Sequence, residues 1–130
     1  MSGPAAPGCL VLASASPTRA KVLAGAGIRF DQDPADVDEA AIKVACRQRG
    51  DTAEQAAVVL AMAKAQVVAP RHPGRVVVGS DQLLVSGEDW LDKPSGRAAA
   101  RATLEKLRGR CHRLVSGMVV MRDAAVLCRH

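Results

Sequence analysis

The residues best suited to chemistry lie in the stretch Val76–Pro94, which contains an aspartate, Asp81, and a lysine, Lys93. The three valines at its start have the apolar, β-branched character of a buried strand. Gly79 and Ser80 are expected to end that strand, so that Asp81 emerges at the mouth of an α/β sheet, where ligands commonly bind. The carboxylate of Asp81 and the ammonium group of Lys93 would then lie on the two strands of one β-hairpin. For this stretch alone, the alternative is a turn-capping aspartate and a solvated lysine.

A second candidate site lies where the apolar strand Cys9–Ala13 runs into a serine-rich helix start. Ser16 is a suitable N-cap and Pro17 suits the first helical position, so a helix is predicted from Pro17 to about Ala26. Its free N–H groups and positive end would face an anion. Arg19 is unfavourable for the helix dipole unless something negative binds beside it. The alternative is an ordinary capped helix with a surface arginine.

An acidic loop precedes the second predicted helix, which spans about 40–49. The carboxylates of Asp38 and Glu39 favour the positive end of that helix, which is a sufficient structural reason for their presence. The functional alternative is that this loop supplies a metal-binding carboxylate near Asp81. The residues of the loop leave both interpretations open.

The third predicted helix begins with a capping box at Thr52, runs to about Ala69 and is apolar on most faces. Between Glu54 and Arg71 its only charged residue is Lys64. A lysine in a mainly buried helix needs either a route to solvent or an anionic partner. Lys64 is therefore the third candidate for anion binding.

The remaining pattern predicts a single α/β domain over residues 1–130, with a mixed twisted sheet flanked by helices. The chain has the length of one domain. Further strands are predicted near Ile28–Asp33, Val115–Met121 and Ala124–Leu127, with a helix near Gly96–Leu107. No apolar run approaches the ~20 residues that cross a bilayer.

Cysteine usage and the N-terminal residues favour a cytoplasmic protein. The four cysteines form no C-x-x-C pair, which argues against a zinc knuckle or a redox motif. Cys9 and Cys111 lie in apolar runs and are expected to be reduced core residues. The N-terminal residues lack the basic start and the apolar core of a secretory signal.

Positive charge is concentrated in the last quarter of the chain. From Arg97 to His130 there are 8 basic and 2 acidic residues, whereas the preceding residues have 10 basic and 11 acidic. Such a segment is typical of nucleic-acid or polyphosphate binding, or of an acidic neighbour. With no tyrosine, one phenylalanine and one tryptophan, the chain lacks the aromatics that stack bases. A dedicated nucleic-acid module is therefore the less favoured interpretation.

Taken together, these segments resemble the Maf family of nucleoside triphosphate pyrophosphatases, also described as septum formation inhibitor Maf-like proteins. The similar stretches follow one another in order as LASASPTRAKVLAGAGI, DVDEAAI, LAMAKA, VVVGSDQLLVSGEDWLDKP and LEKLRGRCHRLVSG. The resemblance implies a Maf/ITPase-like fold and hydrolysis of a nucleoside triphosphate to the monophosphate and pyrophosphate. Family members continue past the position of Leu127–His130, so we expect the second lobe to be incomplete here.

The resemblance also implies a role for each candidate residue. It makes Asp81 the proton acceptor and places Glu39 with Asp81 in a divalent metal site for Mg²⁺ or Mn²⁺. A triphosphate carries several negative charges, which basic side chains, a helix start and a metal ion would neutralise. The family's phosphate-binding positions fall on Ser14, Arg19, Lys64 and Lys93.

Two positions bear on the choice of base. Thr18 stands where the family often has an arginine, and Gln82 follows the central aspartate to give GSDQ. This pattern resembles the branch acting on 7-methylguanosine triphosphate more than the branch acting on thymidine and uridine triphosphates.

Two other functions remain open at this point. One is a truncated, catalytically weak relative that binds a nucleotide or a protein partner as a regulator, for which a homodimer is one arrangement. The other is a basic nucleic-acid-binding module. The sequence favours the enzyme because several separate motifs occur in the family's order.

Overall fold

The computed structural model describes residues 10–91, 96–109 and 111–130, within which there are six strands and four helices. The strands are β1 (Leu10–Ala13), β2 (Phe30–Gln32), β3 (Val76–Ser86), β4 (Asp89–Leu91), β5 (Arg113–Arg122) and β6 (Ala125–Arg129). The helices are α1 (Pro17–Gly25), α2 (Glu39–Arg49), α3 (Ala53–Val68) and α4 (Arg97–Leu107), and a 3₁₀ turn at Ala69–Arg71 follows α3.

The strands form one mixed sheet in the order β2-β1-β3-β5-β6, with β4 also paired to β3. β1 is parallel to β2 and to β3, whereas β4 and β5 are antiparallel to β3. The predicted mixed α/β fold is therefore confirmed. Because β2 and β3 lie on opposite sides of β1, the carboxyl end of β1 is a topological switch point, where sheets of this kind open a crevice.

The central strand β3 is longer than predicted. Gly79 and Ser80 do not end it, because every residue of Val76–Val85 is paired with β5. Asp81 therefore lies in the middle of an 11-residue strand, and the expectation that it emerges at the strand's mouth was wrong. Continuous pairing along one edge of β3 overrides the tendency of glycine and serine to break a strand.

The opposite edge of β3 is only partly paired, and this leaves a gap in the sheet. β1 stops at Ala13, which is opposite Gly79. β4 pairs with the same edge only from Leu84 onwards. Residues 80–83 of β3 consequently have no strand beside them on that edge within the described chain, and Asp81 lies in this gap.

Helix α3 packs against one face of the sheet and provides much of the core. Seven of its 16 residues are buried, and five of those seven are alanines, which allow a close approach. A Cβ atom at Gly79 would collide with the carbonyl oxygen of Ala61, and one at Gly117 would lie 2.6 Å from the carbonyl oxygen of Ala57. These glycines are needed because the helix backbone lies directly over β3 and β5.

The predicted helix starts are confirmed. The Oγ of Ser16 accepts a hydrogen bond from the backbone N–H of Arg19 at 3.3 Å, with Pro17 as the first helical residue. Thr52 and Gln55 form the reciprocal bonds of a capping box. In each case a local side chain satisfies a backbone N–H group that the helix leaves without a partner.

The cysteine prediction was wrong for Cys111. It precedes β5 and is exposed, whereas Cys46 in α2 is fully buried. Burial raises the pKa of the Cys46 thiol, so this thiol is protonated and unreactive at neutral pH. Cys9 lies outside the described residues, among which no helix is long and apolar enough to span a membrane.

The close approach of α3 yields a first prediction. Gly79→Ala and Gly117→Ala should each destabilise the fold by about 1–3 kcal/mol, because the added methyl group must push the helix away from the sheet. Gly25→Ala is the control, since a Cβ atom there meets nothing within 4 Å. Urea denaturation measures the three variants, and a Gly117→Ala protein with the parent's midpoint would contradict the packing described.

A charged cluster links the residues after β2 to the turn after α3. Asp33 lies 2.8 Å from His72 Nε2 and 3.1 Å from Arg71 Nη1. The hydrogen bond with His72, helped by the charge of Arg71, lowers the pKa of Asp33 despite some burial. The folded state therefore favours the ionised carboxylate over the unfolded state.

The lowered pKa of Asp33 gives a prediction for acid stability. The ionised group stabilises the fold above its unfolded pKa of about 3.9, and this contribution is lost as the pH falls through the lower folded value. Asp33→Asn should therefore be less stable than the parent at pH 7, with a difference that shrinks below about pH 4. Thermal melts between pH 7 and pH 2 test this, and a constant difference over that range would refute it.

Candidate active site

A cavity of about 780 Å³ opens at the carboxyl end of β1 and extends into the gap beside β3. Its size is in the range of small-molecule binding sites. The start of α1, the loop before α2, one residue of α3 and the strands around the gap form its walls. The charged residues among its described lining are Arg19, Asp36, Glu39, Lys43, Lys64 and Asp81.

Lys64 connects two carboxylates at this cavity. Its Nζ lies 3.5 Å from Glu39 Oε1 and 3.5 Å from Asp81 Oδ2. The side chains of Lys64 and Asp81 are only 13% and 10% exposed. Asp81 faces α3 because it lies two residues after Gly79 and therefore on the same side of the strand. Of the two alternatives that the sequence left open for Lys64, the structure shows the anionic partner, which is a pair of carboxylates.

One oxygen of Asp81 is left without a hydrogen bond. Oδ1 accepts the backbone N–H of Gln82 at 2.7 Å, whereas Oδ2 is buried and has no hydrogen-bond partner among the described residues. The 3.5 Å approach of Lys64 is an ion pair that is too long for a good hydrogen bond. A buried carboxylate oxygen in this state has capacity for a cation or a proton donor.

Glu39 differs from an ordinary surface glutamate. Partial burial, with the closeness of the Asp81 carboxylate, raises the pKa of Glu39, and the charge of Lys64 opposes that rise. The two carboxylates therefore share the ammonium group of Lys64.

The donor set fits a hard divalent cation. No cluster of three or more His, Cys, Asp or Glu side chains that could hold a metal occurs in the part of the chain that the structure describes. Glu39 and Asp81 would supply the two carboxylates of a Mg²⁺ site, with phosphate oxygens and water completing its coordination. Carboxylate oxygens also suit Mn²⁺.

The start of α1 forms the other polar wall. The Oγ of Ser14, which is buried, accepts hydrogen bonds from the backbone N–H of Ser16 at 3.1 Å and from Arg19 Nη1 at 3.0 Å. These bonds fix the guanidinium group beside the N-terminus of α1. Positive side-chain charge and the helix end then act together on any anion in the cavity.

Nearly all the residues predicted from the sequence meet at this cavity. Ser14, Thr18, Arg19, Glu39, Lys64, Asp81 and Gln82 all line it. Lys93 lies outside the described residues.

Among the cavity residues that sequence reasoning did not single out are a lysine and three leucines. Lys43 follows Glu39 by four positions on α2, and this helical spacing could have indicated it. Leu84, Leu91 and Leu114 also line the cavity. They come from three strands, and nothing in their local sequence shows that these strands are neighbours.

The amino-acid sequence is similar to those of a known protein family and of curated relatives. The family model described as Maf-like protein matches residues 9–129. A 7-methyl-GTP pyrophosphatase of Brucella abortus biovar 1 (strain 9-941) is 45% identical over 121 residues, covering 93% of this chain and 61% of that protein. A nucleoside triphosphate pyrophosphatase of Paramagnetospirillum magneticum (strain ATCC 700264 / AMB-1) is 43% identical over 120 residues, covering 92% and 62%.

The chain thus spans about three fifths of the length of these curated relatives. The family model matches nearly all residues of this chain, including every described residue that lines the cavity. On this basis, the chain belongs to the Maf family.

Proposed function

We propose that this chain is a nucleoside triphosphate pyrophosphatase that uses Mg²⁺ or Mn²⁺. The observation that carries the proposal is the contact of Lys64 with both Glu39 and Asp81, in a cavity whose other wall is the start of α1 with Arg19. The names of the two relatives describe this class of activity for those proteins.

The reaction requires water to attack the α-phosphorus of the triphosphate. The new P–O bond forms as the bond between the α-phosphorus and the α,β-bridging oxygen breaks, which releases pyrophosphate and leaves the nucleoside monophosphate. The proton of the attacking water goes to Oδ2 of Asp81, the role that the family resemblance implies. Geometry supports this role because that oxygen is buried at the cavity and accepts no hydrogen bond from the described residues.

Positive side chains bind the substrate's phosphates. Arg19 and the N-terminus of α1 would bind one part of the triphosphate, while Lys64 would neutralise charge near Asp81. Lys93, at the family's other basic position, is proposed for the same task. A divalent cation held by Glu39 and Asp81 would supply the charge that favours attack on the phosphate.

Base preference is proposed to lie with Thr18 and Gln82. Both line the cavity, and Gln82 donates from Nε2 to Ser116 Oγ at 3.2 Å. Its Oε1 can then accept an N–H group from the edge of a guanine base. Among triphosphates we therefore propose 7-methyl-GTP as the preferred substrate.

A triphosphate panel tests the reaction. With Mg²⁺ or Mn²⁺ the protein should release pyrophosphate from a nucleoside triphosphate, and chelation should stop this release. Both products, pyrophosphate and the nucleoside monophosphate, should be measured. Their appearance in equal amounts distinguishes this cleavage from removal of the terminal phosphate. Nucleotide binding without turnover on the whole panel would instead favour the regulatory alternative.

Asp81→Asn tests the proton acceptor. We expect a loss of kcat of about 100-fold or more, because general base catalysis contributes that much, while the circular dichroism spectrum stays unchanged. Glu105→Gln, an exposed change on α4 outside the cavity, should retain the parent's activity. Full activity in Asp81→Asn would remove Asp81 from its assigned role.

Gln82→Thr tests the base preference. Loss of the amide should lower kcat/KM for 7-methyl-GTP relative to UTP by about 10-fold, because the base edge then lacks its hydrogen-bond acceptor. Rates on both substrates measure this ratio. An unchanged ratio would show that Gln82 does not read the base.

A further inference from the structure

The cavity has two chemically different ends, which lie on opposite faces of β3. Successive residues of a strand point to opposite faces, so Asp81 faces α3 whereas Gln82 and Leu84 face the other way. The gap beside residues 80–83 joins the two sides. A single ligand can therefore have one part at the charged end and another part on the far face.

Three leucines form a row at this second end. Leu84 on β3 is paired with Leu91 on β4 and with Leu114 on β5. All three line the cavity, and Leu114 is 61% exposed. The row is continuous across three strands, so it offers a flat apolar surface, bordered by the Gln82–Ser116 pair. We call Leu84, Leu91 and Leu114 the leucine row.

The chain's aromatic residues do not serve this purpose. Trp90 is paired with Val85 and packs with the core cluster on the α3 side. Its ring lies 4.3 Å from the Arg47 guanidinium carbon. Neither Trp90 nor Phe30 belongs to the cavity lining. At this end of the cavity, the large apolar side chains among the described lining are therefore those of the leucine row.

We infer that the leucine row is the subsite for the nucleobase, with the face of the base packed on the leucines and its edge toward Gln82. This inference rests on the proposed function and specifies which part of the substrate lies where. Leu84 follows Asp81 by three strand residues, or about 10 Å, a separation that a ribose can bridge between phosphate and base. Continuity with the charged end favours a nucleotide over an unrelated apolar partner.

Leu114→Ala tests the subsite, with Leu104→Ala as a matched control. Leu104 is 69% exposed on α4 and lies outside the cavity. Leu114→Ala should raise KM for 7-methyl-GTP by about 10-fold, whereas the inhibition constant of inorganic tripolyphosphate, which has no base, should stay within about twofold of the parent. Leu104→Ala should change neither constant. Because Leu114 is largely exposed, its truncation should leave the fold intact.

Two outcomes would overturn the subsite. One is an unchanged KM in Leu114→Ala, and the other is an equal weakening of tripolyphosphate, which would indicate a general disturbance of the cavity. If the parent hydrolyses no triphosphate, the proposed function fails, but the subsite is still decided by calorimetry. Leu114→Ala should then weaken binding of guanosine monophosphate about 10-fold and leave pyrophosphate binding unchanged; equal effects on both ligands would refute it.

Discussion

The ammonium group of Lys64 belongs to a helix that is otherwise uncharged between Glu54 and its end, so its charge has to be balanced at the point where the helix meets the sheet. Glu39 and Asp81 provide that balance from two other elements, each at 3.5 Å. One ion-pair network therefore connects α2, α3 and β3. Among the described residues, the same network leaves one buried oxygen of Asp81 without a hydrogen bond.

The position of this network depends on backbone packing. Gly79 and Gly117 let α3 lie directly on the sheet. Lys64 belongs to the same helix, so this close packing fixes the distance of its backbone from the sheet. β1 ends opposite Gly79, two residues before Asp81. The helix contact and the gap in the sheet thus meet at neighbouring positions of β3, and this is where the polar residues gather.

Much of this arrangement could be predicted from the sequence, because its signals are local. Ser16 as a helix cap and the single charge of Lys64 in an apolar helix can be read from adjacent residues. The length of β3 could not, since Gly79 indicates a strand end unless the helix above it is known. The row through Leu84 was also missed, because it exists only once the register of three strands is fixed.

The close contact of α3 with Gly79 and Gly117 has one more consequence. The stability of the chain and the contacts of Lys64 depend on the same close packing, so a substitution that lifts the helix would also draw Lys64 away from its carboxylates. The ion-pair network would then be disturbed by helix displacements that leave the chain folded.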